Sequence, residues 1–592
     1  MRAKAGDPPR TMAQKVLAGR ADDPSLAGDV TVVKVDQVAL VRAPGRALAE
    51  ASSMGLKKAV VEVAITYDGT CVTSTEDPPQ AATTADFVSH GILVGRPGVG
   101  FPSAVHLERF ASPARLCLTD DPRMGACGGV GMLTVLASPS QLGEALATGR
   151  VTLRPPRSIQ VLLSGRVRPF VCARDVALEL LRRGVGEAVA RVEAKYHAPV
   201  VLEFGGPSAR LLSVSERAVL AALAPELGAW ASVFTSDERT EVYLRDQRRS
   251  KAHRALAPDA GAPVDEVIQV DLSAVDPLLR DEQGKVRGVR DLAGKPVSQA
   301  ILGGDTGATL RDLLAAASLL KSKRVPPRLD LLLAVPTRQM LEVLATEGAL
   351  ADLVATGARL TEPDQRLLLG KLYPPPEEGG VSIRTCDPEP AAKGQGFVVA
   401  SAETVAYAVA TGSIGDPRGF KRPVRVTVPR TLPTDDVLVA REKRPSDGST
   451  KRSLPVAPSP AGWKGTQPLT VATPSANVII TEPTALVCAN LDEARAATQQ
   501  ALASQSVRAV ISTALTSGLV ACLSAVGVAA LRAEPSAIKL LAGAKSLSLP
   551  PPASDVTVTV GASKILLHWP AARIEREWAI AGTAQRKTTS AR

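Results

Sequence analysis

The chain has 592 residues, 45% of them hydrophobic but only 3% aromatic, and its 70 Lys and Arg against 59 Asp and Glu give a net charge of +11. That length exceeds what one core supports and predicts three or four domains, with cores of Ala, Val, Leu and Ile. No run of about 18 apolar residues marks a membrane span, and the opening MRAKAGDPPR lacks the apolar segment of a secretory signal, so the expected compartment is the cytoplasm.

A short amphipathic helix is predicted around Met12–Ala21. Buried strands are predicted at Val32–Leu40, Ala59–Tyr67, Ser158–Ser164, Val200–Phe204, Glu266–Leu272, Val297–Leu302 and Leu329–Val335. Helices are predicted at Arg174–Arg183, Glu216–Ala224, Thr309–Lys321 and Arg338–Ala345. This alternation implies an α/β fold with mostly parallel sheets. Pro429–Gln467, rich in Pro, Ser and charge, reads as an exposed linker. After it, Leu469–Ile480, Leu486–Ala489, Arg508–Ile511 and Ile538–Leu541 form a second, smaller α/β unit, and the basic tail is expected to be disordered.

The seven cysteines (Cys71, Cys117, Cys127, Cys172, Cys386, Cys488 and Cys522) are scattered, with no CxxC pairing, the pattern of ordinary buried thiols. The positive charge is diffuse, so nucleic acid is not its first implication. RPGVG and CGGVG lack GxGxxG spacing and read as tight turns.

The stretch Ala300–Asp312, AILGGDTGATLRD, reads as a buried strand, a glycine turn and a helix start, with Asp305 at the tip. It resembles the turn of the aconitase and isopropylmalate dehydratase hydro-lyases, roughly LIGSCTNSSYED, whose cysteine ligates an iron–sulfur cluster. Other stretches resemble that family in its order. They include GRPGVGFPSAVHLERFASP, TDDPRMGACGGVG, SGRVRPFVCARDV, LEFGGPSARLLSVSERAVLAALAPELGAWASVF and FVVASAETVAYAVATGSIGDPR. The resemblance implies an aconitase-like α/β fold: three related layered domains over 1–425 (about 1–165, 166–290 and 291–425), a linker at 426–467, a swivel domain at 468–583 and a tail at 584–592.

Family catalysis uses a cluster iron as Lewis acid, a serine base, His–carboxylate pairs as acids and arginines that clamp substrate carboxylates. The three cluster-ligand positions carry Asp305, Gln365 and Leu368 here. The aspartate of the family's TDSHT is kept as Asp121, but its serine and histidine are Pro122 and Arg123. The IIHQ histidine becomes Ser103, an early Asp–His pair becomes Asp68 and Gly69, and the VEYHG glutamate matches Glu203. The NRNF segment falls at Asp387–Pro390 with Lys393, and in the swivel domain only Arg495 and Ser517 stand near family site positions. None of the five histidines matches a catalytic one.

These exchanges imply a pseudoenzyme without the 4Fe–4S cluster or any other cofactor, working in a binding, regulatory or assembly role with a protein partner or a small carboxylate. A second reading is a cluster-independent hydratase or isomerase of a hydroxy-carboxylate, its divalent metal held by Asp121, Glu203 and Asp305. A third is RNA binding, as in cluster-free family members. A pairing of the carboxylates with Arg42, Arg123 or Lys393 competes with the metal reading, and Cys386 is a candidate exposed thiol.

Overall fold

The computed structural model describes residues 8–42, 44–67, 82–96, 98–368, 372–373, 380–387, 396–433, 439–440, 462–463, 465–475, 479–515, 519–520, 523–524, 526–551, 553–571, 576 and 580. The described residues form five sheets with helices between and around them. The α/β class expected from the alternating pattern is what the chain adopts.

The first large sheet has six strands, centred on Gln37–Leu40, which is parallel to both Val63–Tyr67 and Leu116–Thr119; its edge strand Val439–Ala440 is antiparallel. A four-stranded parallel sheet runs in the order Ala231–Phe234, Val200–Gly205, Arg157–Ser164, Glu266–Asp271. The third sheet has seven strands, with Gln299–Gly303 parallel to both Asp330–Ala334 and Ser382–Arg384. Strands buried on both faces need helical crossovers, which explains the continuous apolar runs in the sequence.

Most predicted elements fall where the pattern places them, with ends shifted by a few residues. The helix at the start covers Met12–Ala18 and the one after the turn Leu310–Leu320. One prediction is corrected: Val32–Leu40 is two strands, not one. Thr31–Lys34 pairs antiparallel with Arg150–Leu153, whereas Gln37–Leu40 enters the six-stranded sheet. Asp36 makes the break. Its buried carboxylate takes the Leu116 amide at 2.7 Å and ion pairs from Arg20 and Arg115, which no uninterrupted strand would allow.

The expected linker is shorter than Pro429–Gln467. Leu432 is buried against the third sheet's core, Pro433 accepts from Gln339 at 2.6 Å, and Val439–Ala440 pairs with the strand Leu93–Gly95. Gln467 already belongs to the strand Gln467–Ala472. The C-terminal unit holds a seven-stranded sheet and its own core, which includes Trp463, Val510, Leu531 and Trp569. The tail after Thr583 lies outside the described residues. Among the described residues no helix is long and apolar enough to cross a membrane.

Candidate functional site

The turn at the carboxyl end of Gln299–Gly303 is where a parallel α/β sheet offers a crevice. Its geometry requires glycine. Gly303 has φ +102°, and a Cβ there would collide with the Ala334 carbonyl oxygen. A Cβ on Gly304 would run into Cys386 Cβ. Thr385 holds the turn to the neighbouring strand: its hydroxyl donates to the Gly303 carbonyl at 2.6 Å and accepts from the Gly303 amide at 2.8 Å. Thr309 and Asp312 then form the capping box that starts the next helix.

Asp305 is buried at the tip of this turn. Its carboxylate accepts the Ser103 hydroxyl and pairs with Arg123 at 3.4 Å. Ser103 is presented by the helix Pro102–Arg109, docked through the Phe101 amide on the Pro336 carbonyl at 2.9 Å. Arg123 sits in the first turn of the 3-10 helix Pro122–Val130. Asp121 caps that helix, accepting the Arg123 amide at 3.0 Å, and takes Arg42 Nη2 at 3.0 Å. Burial raises the Asp305 pKa; Arg123 and Ser103 oppose the rise, and the negative charge of Asp121 adds to it.

A second group adjoins the first. Arg123 Nη2 donates to the Asp387 carbonyl at 3.1 Å, Arg174 donates to the Asp387 carboxylate, and Arg280 Nη1 stands 3.6 Å from it. Burial works against the Asp387 charge, but Arg174, Arg280 and Arg123 together hold its pKa below the usual carboxylate range. Arg280 also pairs with Glu226 at 2.7 Å. Arg174 Nε and Arg280 Nε and Nη2 are buried without a hydrogen-bond partner among the described residues.

The structure therefore brings Ser103, Asp121, Arg123 and Asp305 together, and it separates Glu203. That glutamate accepts the Met12 and Ala13 amides at 2.8 and 3.0 Å and the Ser158 hydroxyl at 3.1 Å. Its work is to cap the first helix. The proposed oxygen-ligand set of Asp121, Glu203 and Asp305 is thus not assembled, and among the described residues no group of three metal-capable side chains is found. Gln365 is buried with Oε1 unpartnered among the described residues, and Leu368 packs with Phe101, Leu332 and Cys386 in a small apolar cluster. Asp68, Ser517 and Lys393 lie outside the described residues, as does the side chain of Arg495 on the helix Leu491–Ala503. Cys386 is not the exposed thiol expected of it: it is buried, and burial pushes its pKa up. His106 is a buried structural residue, its pKa pushed down to about 3 by burial, bonded to Tyr67 and Gln37.

Sequence reasoning missed Arg174 and Arg280. Arg174 had a signal, since it lies in SGRVRPFVCARDV, one of the stretches that resemble the family. Arg280 lies on the strand Leu278–Arg280, which carries no motif.

Comparison with known proteins gives a consistent assignment. The model of the aconitase family (aconitate hydratase) matches residues 80–283. Similar proteins include the 3-isopropylmalate dehydratase large subunit 2 of Archaeoglobus fulgidus, 27% identical over 426 residues, 69% of this chain and 99% of the relative. The large subunit 1 of Deinococcus radiodurans is 31% identical over 364 residues, 60% of this chain and 80% of the relative. The homoaconitase large subunit of Thermus thermophilus is 29% identical, covering 60% and 83%.

The expectation that no cofactor is bound is corrected by these matches, because proteins of this group normally use a 4Fe–4S cluster. The scattering of cysteines along the sequence does not establish its loss. Five of them are buried thiols in the fold, Cys386 lies against Gly304, and Cys127 is close enough to Asp305 to feel its charge. As the side chains stand, the turn carries Asp305, the segment after it carries a buried Gln365 and Leu368, and burial favours the protonated form of Cys127 and Cys386. Fold, motif order and relatives converge, and the chain belongs to the aconitase family.

Proposed function

We propose that this hydro-lyase homologue binds a small carboxylate at the arginine cluster Arg123, Arg174 and Arg280 and has given up the hydration step. The observation that carries the reading is the state of Asp305. Its carboxylate is held by the Ser103 hydroxyl and by Arg123, whose positive charge competes with any cation for it. The buried guanidinium N–H groups of Arg174 and Arg280 that lack partners among the described residues are donors suited to a carboxylate ligand. The C-terminal unit supports a further point. The relatives are named large subunits, and one of them is matched over 99% of its length by 69% of this chain. The remaining unit, in our reading, stands in for a swivel domain within the same polypeptide, in the cytoplasm.

The test is to purify the full chain, attempt anaerobic iron–sulfur reconstitution, and assay hydration of aconitate and isopropylmaleate alongside calorimetry with the corresponding hydroxy acids. Binding without turnover, before and after reconstitution, is the expected result. Turnover at rates normal for enzymes overturns the reading.

A further inference from the structure

A cavity of about 310 Å3 lies between the helices Pro102–Arg109, Val214–Ala221 and Glu238–Asp246 and the residues following the Asp305 turn, with Val428 and Leu432 along one side. Its volume suits a small organic molecule. The walls are largely aliphatic, from Leu107, Val214, Val219, Val242, Met340 and Leu432. Two buried charged side chains border it, and one of them, Asp305, is committed to Ser103 and Arg123. The other is Glu108, 4% exposed. One of its oxygens accepts the Thr337 hydroxyl at 2.7 Å, and no hydrogen bond engages the second among the described residues. Two wall amides, Gln247 and Gln339, bond each other at 2.8 and 2.9 Å. The second Glu108 oxygen keeps solvent access at the cavity wall, so a bound donor would take the place of water there.

We propose that this cavity is a ligand site for a small aliphatic molecule carrying one hydrogen-bond donor, an alcohol or an amine, directed at Glu108. Burial raises the Glu108 pKa to about 7, so the carboxylate that accepts from an alcohol or an ammonium gains population as pH rises through neutrality. Arg123, Arg174 and Arg280 are not among the lining residues, so the site stands or falls separately from the carboxylate-binding reading.

The test titrates isoamyl alcohol, isoamylamine and the donor-free isoamyl methyl ether into the full chain by calorimetry. The alcohol or the amine is expected to bind at least about tenfold more tightly than the ether, a difference of one lost hydrogen bond; which of the two does so identifies the donor. Val219→Phe fills the cavity and is expected to abolish binding, and Met340→Trp, nearer the surface, serves where the first variant fails to fold. Glu108→Gln keeps an acceptor for Thr337 but turns an amide N–H toward the ligand, and lowers amine affinity by about tenfold or more. No binding by any probe, equal binding of the ether, or affinities unchanged in the filled variants overturns the proposal.

Discussion

Arg42 and Asp121 meet at 3.0 Å with only 1% of either side chain exposed. A buried pair of this kind contributes little net stability by forming, yet breaking it strands a charge. Arg42→Met is therefore expected to cost about 3–5 kcal/mol in urea unfolding, and adding Asp121→Asn should recover part of that loss. Equal midpoints for wild type and Arg42→Met would show the pair to be unimportant.

Three other buried carboxyls set the pH response. Burial pushes Glu108, Asp175 and Glu403 up to about 7. Unfolded, they return to the ordinary carboxylate range, so the folded chain holds their protons more tightly. Their contribution is complete below that range and is lost as pH rises to about 7, at about 1.4 kcal/mol for each tenfold by which folding tightens proton binding. Asp387 acts in the opposite sense, because its lowered pKa contributes stability that disappears as pH falls below the carboxylate range. Stability should peak near pH 4 and decline toward pH 7. A urea midpoint that climbs over that interval contradicts the assignment, and Glu108→Gln should flatten the decline.

Gly303→Ala tests the turn. The added methyl group would strike the Ala334 carbonyl in a backbone conformation that already disfavours it, so a loss of about 3 kcal/mol or more is expected on thermal melting. Gly294→Ala is the control: φ is +86° there, but no atom lies within 4 Å of the new Cβ, and about 1 kcal/mol is expected.

Arg280→Met should weaken a bound dicarboxylate by about tenfold or more, since a bidentate donor is lost and Asp387 keeps Arg174 as its main partner. Calorimetry with the hydroxy acid that binds wild type measures it. Unchanged affinity would remove Arg280 from the site.

The C-terminal core draws its buried side chains from Trp463 to Ala571 alone. A fragment of residues 462–592 is expected to fold and to melt cooperatively by circular dichroism. A fragment lacking a transition would show that the unit depends on the rest of the chain.

Long apolar strands and capped helices were legible in the sequence because period and capping chemistry are local. The Thr309–Asp312 box, for example, starts its helix where the pattern places it. The break at Asp36 was not legible, since the partners that impose it, Leu116 and Arg115, lie 79 or more residues away. At the site, the positions of Ser103, Arg123 and Asp305 were readable from motif order. That Glu203 serves the first helix was not, because Met12 and Ala13 contribute only backbone amides, which carry no residue signature. The reading of the cysteines as ordinary buried thiols holds for the five that are described, while the closeness of Cys386 to the Gly304 turn, reached through a neighbouring strand, is hidden by sequence distance.

The two-residue strand Val439–Ala440 lies antiparallel against Leu93–Gly95 at the margin of the six-stranded sheet. During synthesis, that margin is laid down more than three hundred residues before its partner leaves the ribosome. The nascent N-terminal sheet must wait with unsatisfied main-chain groups on one side, where a chaperone or a neighbouring nascent chain could dock. Completion of the first sheet thus reports that translation has passed residue 440.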